Sequence, residues 1–87
     1  MIRSYNHKGF VLEVAVEANF RVVSAATPEA SYLAVVTINR SGRPVTAFSP
    51  LQVTQRRIRY FDSAEDALMS AHSAGQTFVD QWVQDAH

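Results

Sequence analysis

The residues of this chain with most to offer chemically are its arginines. Arg56, Arg57 and Arg59 crowd together just ahead of Tyr60, and Arg40 and Arg43 flank a Ser-Gly pair. Guanidinium groups gathered in this way hold phosphate or carboxylate oxygens. A basic sheet with aromatics beside it is also how several folds hold single-stranded nucleic acid. If Ile58 and Tyr60 face inward, Arg57 and Arg59 project from the opposite face. Anion or nucleic-acid contact through Arg40, Arg43, Arg56, Arg57 and Arg59 is therefore one functional reading. Against it, Glu13 and Glu17 fall on the same side, and Tyr32 and Tyr60 are assigned inward, which leaves no aromatic platform. Solvated arginines on an edge strand are the plainer account.

Other chemistry is sparse. His7, His72 and His87 are scattered, and none has a second His, Asp or Glu three or four positions on to complete a metal pair. The serines lack a Gly-x-Ser-x-Gly elbow, and the three glycines form no phosphate-binding loop. With no cysteine there is no Cys/His pattern and no disulfide. The expectation is a chain that is not an enzyme and carries no metal and no cofactor.

The elements that must position these groups read as strands followed by one helix. Phe10, Leu12, Val14 and Val16 alternate with Val11, Glu13, Ala15 and Glu17, a period of two that places a strand over 9–17. Asn19 suits a left-handed turn, with a short strand over 20–24 beyond it. Thr27-Pro28-Glu29 reads as loop, since proline removes a ladder donor. Strands over 32–38 and 44–48 flank Asn39-Arg-Ser-Gly-Arg43, with Gly42 the positive-φ residue of a hairpin turn. A last strand over 55–61 leads into a helix over 63–85. Asp62 or Ser63 can cap it, with Glu65 or Asp66 three residues on. Its apolar stripe is Ala64, Leu68, Ala71, Phe78 and Trp82, with Gly75 filling the missing step. Glycine there costs up to about 1 kcal/mol of helix propensity, and close approach to the sheet is the compensation. The expected fold is α+β, a two-layer domain with a three- to five-stranded antiparallel sheet and one C-terminal helix on one face.

That fold leaves a second face to account for. Leu33 and Val35 are apolar although Ala34, Val36 and Ile38 already supply the strand's inward side, and strands apolar on both faces are usually covered on both. One helix covers one face. Val11, Ala15, Leu33 and Val35 therefore form a candidate interaction surface, for a homodimer or another protein partner. The 87 residues make one small domain that relies on packing or association for stability. Residues 1–61 hold all eight Lys and Arg against three Glu, a balance of +5, and residues 62–87 hold five acids with no base, a balance of −5. The first 8 residues are polar, unlike a signal peptide, and no apolar run reaches membrane-span length, so the expected location is cytoplasmic and no membrane is involved.

Gly9-Phe10 and the junction Ser63-Ala64-Glu65-Asp66-Ala67 carry a resemblance. The chain resembles short bacterial proteins of unknown function that open on a Gly-Phe strand and enter a final helix through a [Ser/Thr]-x-[Glu/Asp]-[Glu/Asp]-Ala turn. That implies a β-β-β-α domain and no activity. The same junction is similar to that of HicB-type antitoxins, which implies binding of a small toxin; the Pro-Asp-x-Pro-Gly-Cys stretch of that family has no counterpart here. Double-stranded RNA-binding domains share the element order. Their last helix begins with lysines where this one has Asp62, Glu65 and Asp66, which would repel phosphates.

Overall fold

The structure, a computed structural model, describes residues 1–24, 27–54 and 57–85, and their side chains outside 19–30 and 54–59. Strands β1 (Ile2–His7), β2 (Phe10–Ser24), β3 (Thr27–Arg40) and β4 (Arg43–Phe48) form an antiparallel sheet in the order β1-β2-β3-β4. A short hairpin of β5 (Gln52–Thr54) and β6 (Arg57–Arg59) follows as a separate two-stranded sheet, and α1 (Ala64–Asp85) packs on one face of the main sheet. The fold is α+β with two layers, as the order of strands and helix predicts.

Two-residue turns set the sheet's register. Lys8 and Gly9 have φ of 51° and 83°, and Ser41 and Gly42 have φ of 52° and 79°. Positive φ at both central positions is the mark of the type I′ turn, whose twist matches that of the strands it joins. The first of these turns folds the polar N-terminal segment back as a strand, Ile2–His7. As an edge strand with a wet outer side, β1 carries almost no apolar alternation to betray it.

The segments 9–17 and 20–24 are one strand, not two. Asn19 does not turn the chain; it stands opposite Ser31, and continuous pairing from Phe10↔Arg40 to Ser24↔Thr27 overrides its local preference. The expected loop at Thr27-Pro28-Glu29 is strand as well. Tyr32 exchanges both backbone bonds with Phe61, so the even-numbered residues of β3 turn their amides away from β2. Pro28 shares that parity, and its missing N–H therefore costs no bond in the β2–β3 ladder. The strand expected over 55–61 is instead the β5–β6 hairpin and a single bridge at Phe61.

Phe10, Leu12, Val14 and Val16 from β2 and Ala34, Val36 and Ile38 from β3 are buried beneath Ala67, Ala71 and Val79 of the helix. The buried helical line is Ala67, Ala71, Gly75 and Val79. A Cβ on Gly75 would lie 3.2 Å from Val36 Cγ1 and 3.4 Å from Leu12 Cδ1, so the glycine lets the helix settle onto the sheet. Ser63 is the cap: its Oγ accepts from the Asp66 amide at 3.1 Å. Two aromatic placements differ from expectation. Trp82 is 44% exposed, and Tyr60 is exposed while Phe61 takes the buried place beside it. The buried line advances in steps of four, which leaves Trp82 one position off it, stacked on Phe78 with ring centroids 6.0 Å apart.

Candidate functional site

The face of the sheet opposite α1 is built by the alternate residues of the strands that bury the core. Val11 is 40% exposed and Val35 38%, with Ala15 and Leu33 half-buried beside them. Register ties them together: Ala15 stands opposite Val35 on one side and opposite Ile2 on the other. Ile2, 66% exposed, thus completes an apolar band across three strands, with Leu33 two residues along β3 and Val11 four residues along β2, beyond Glu13. The charges described on this face are the carboxylates of Glu13 and Glu17. The shortest dimension of the molecule, 17 Å, leaves no room for a third layer over it. The four residues expected to share a surface do share one. Ile2 was invisible without β1, and the Lys8-Gly9 pair was the signal that could have supplied it.

Of the five candidate arginines, the side chains of Arg40 and Arg43 are described, and they lie away from that face. Arg40 and Arg43 are register partners at the β3–β4 turn, and the Arg40 guanidinium lies over the Phe10 ring, 5.3 Å from its centroid. Such a contact fixes the cation against the core it covers. Arg56 lies outside the described residues. The backbones of Arg57 and Arg59 belong to β6, and their side chains lie outside the description.

Histidine is engaged in holding β1 to the helix. Tyr5 stacks on His72 with centroids 3.8 Å apart and planes 15° from parallel. His7 Nε2 donates to Asp80 Oδ1 at 2.8 Å, and Lys8 Nζ approaches the same oxygen at 2.8 Å. Lys8 first, and then His7, hold the Asp80 carboxyl below its ordinary 3.8 by hydrogen bonding to its charged form. Among the described residues, no three His, Cys, Asp or Glu side chains are placed to hold a metal ion.

Among the described residues, open hollows lie on either side of the helix. One, of about 390 Å³, lies open between β4 and α1 and is lined by Thr46, Phe48, Thr77, Phe78 and Gln81 among others. The other, of about 280 Å³, is lined by Gln52, Phe61, Asp66, Met69 and Ser70. No described helix is long and apolar enough to cross a membrane. In comparison with known proteins, no family model matches the chain, and no curated protein and no solved structure matches it either.

Proposed function

We propose that this chain is a small, non-enzymatic interaction module that associates through the open face of its sheet, with a second copy of itself as the occupant. The observation that carries this reading is the band of Ile2, Ala15 and Val35, flanked by Val11 and Leu33, on a face the helix leaves bare. Exposed apolar side chains grouped across strands gain free energy from burial at roughly 25 cal/mol per Å². The chain also presents unusual surface. Its accessible area is 6334 Å², whereas a folded monomer of this size has roughly 5,100 Å². Its radius of gyration is 14.9 Å, against about 12 Å for a globule of its length.

His7, His72, Ser49 and Ser63 are occupied in pairing, packing and capping, which favours a structural over a catalytic use of them, and His87 lies outside the described residues. The proposed setting is the cytoplasm, in keeping with a domain that uses no cysteine. The test is the mass in solution by light scattering over a range of concentrations. Wild type is expected to exceed a monomer and Val35→Glu to lower that mass with an unchanged circular dichroism spectrum. A wild-type mass that Val35→Glu leaves untouched would rule out the sheet face.

A further inference from the structure

The backbone of β1 offers a second surface. The Val16 amide donates to the Met1 carbonyl at 2.8 Å, and the pairs Arg3/Val14, Tyr5/Leu12 and His7/Phe10 follow in steps of two. In an antiparallel ladder these residues spend their N–H and C=O groups on β2, and the residues between them point theirs outward. Ile2, Ser4 and Asn6 therefore present three donors and three acceptors in a row. No described strand pairs with that edge. The opposite edge is different: β4 contains Pro44, next to a register shift between Ile38 and Asn39, and both features interrupt pairing. Within the four-stranded part of the sheet, one open edge and one blunted edge favour a closed pair over a filament.

We infer that the outer edge of β1 is completed by the β1 of a second copy, antiparallel about a twofold axis at Ser4. Only this register uses all three outward residues, pairing Ser4 with the partner's Ser4 and Ile2 with the partner's Asn6. A twofold at Arg3 would oppose two guanidinium groups, and one at Tyr5 would leave Ile2 unpaired. With the axis at Ser4, Arg3 stands opposite the partner's Tyr5 and no like charges face each other. The helices do not obstruct it. α1 lies over β2 and β3, so at 4.8 Å per strand the two helix axes run roughly 19 Å apart, well over the 10–12 Å diameter of a helix. The result is a continuous eight-stranded sheet with both helices on one side. It rests on β1's backbone and is independent of the sheet-face reading.

The absence of cysteine makes a direct test possible. Directly opposed residues of a hydrogen-bonded pair have Cα atoms about 5.5 Å apart, within disulfide range. Mild oxidation of Ser4→Cys is expected to convert most of the chain to a dithiothreitol-reversible dimer, while Ala47→Cys on β4 stays largely unlinked. Ser4→Pro, which removes an outward donor the monomer does not use, is expected to halve the mass seen by light scattering with unchanged circular dichroism. A Ser4→Cys chain that links no better than Ala47→Cys overturns the pairing, whether or not Ser4→Pro folds. Wild type that is monomeric at every concentration overturns it too. Val35→Glu separates the two surfaces: a mass lowered by Val35→Glu alone assigns association to the sheet face and rejects the edge. A mass lowered by Ser4→Pro alone does the reverse, and one lowered by each supports both.

Discussion

At position 75 two effects of similar size oppose each other. Alanine would raise helix propensity by about 1 kcal/mol over glycine. Its methyl would also press on Val36 Cγ1 at 3.2 Å and Leu12 Cδ1 at 3.4 Å, both side chains already fully buried. Gly75→Ala is expected to leave stability within about 1 kcal/mol of wild type in urea denaturation, and Gly75→Leu to lower it by at least about 1–3 kcal/mol through overpacking. A Leu variant as stable as wild type would mean the helix does not lie against β2 and β3 as described. Asp80 makes a different kind of claim. Its carboxylate is favoured in the fold by Lys8 and His7, so its folded pKa lies below 3.8. A group depressed in this way contributes stability above its unfolded pKa and loses it as pH falls through the folded one. Asp80→Asn is therefore expected to be less stable than wild type near neutral pH, with the difference closing below about pH 4. A gap that widens in acid would show that the contact is not an ion pair with a depressed carboxylate.

Among the elements, the helix shows how far pattern carries and where it stops. Its start, its cap at Ser63 and its close approach at Gly75 are all visible in residue types, because capping and glycine have local physical causes. Its rotational phase is less so. Ala64, Leu68, Phe78 and Trp82 outweigh Ala67 and Ala71 in hydrophobicity, yet the sheet admits the small residues at the centre and leaves the large ones on the flanks. Trp82 is therefore a flank residue: Trp82→Ala is expected to cost about 1 kcal/mol, the scale of an aromatic pair, not the 3–5 kcal/mol of a core aromatic. A loss in the larger range would return Trp82 to the core. The strands tell a similar story. Those with a buried face, β2 and β3, announced themselves by alternation, and with them the apolar surface of Val11, Ala15, Leu33 and Val35. β1 did not, because its stabilisation is mostly backbone pairing plus the Tyr5–His72 stack, and neither leaves a periodic trace in sequence. Pro28 misled for the converse reason. Its cost depends on which side of the ladder its nitrogen faces, a tertiary fact.

For the whole molecule, the charge distribution offers an association mode that competes with the apolar ones. Residues 1–61 carry +5 and residues 62–87 carry −5, so copies could stack head to tail, sheet layer against helix layer. That contact would be heterologous and would grow without closing. It would also be sensitive to salt, since exposed charges are screened over about 10 Å at 0.1 M and about 3 Å at 1 M. The open face argues otherwise, because the charges described on it are carboxylates, Glu13 and Glu17, and α1 presents Glu65, Asp66, Asp80 and Asp85. Stacking the one on the other would oppose acid to acid. Association through Ile2, Ala15 and Val35 also brings Glu13 and Glu17 of two copies near each other, but it removes apolar surface from water, a gain that added salt does not weaken while it screens that repulsion. The mass measured by light scattering is therefore expected to stay at one closed value between about 0.1 and 1 M sodium chloride, or to rise slightly in occupancy at the upper end. A mass that climbs without limit at low salt and falls to the monomer at high salt would assign assembly to the charged layers and take it away from the apolar band.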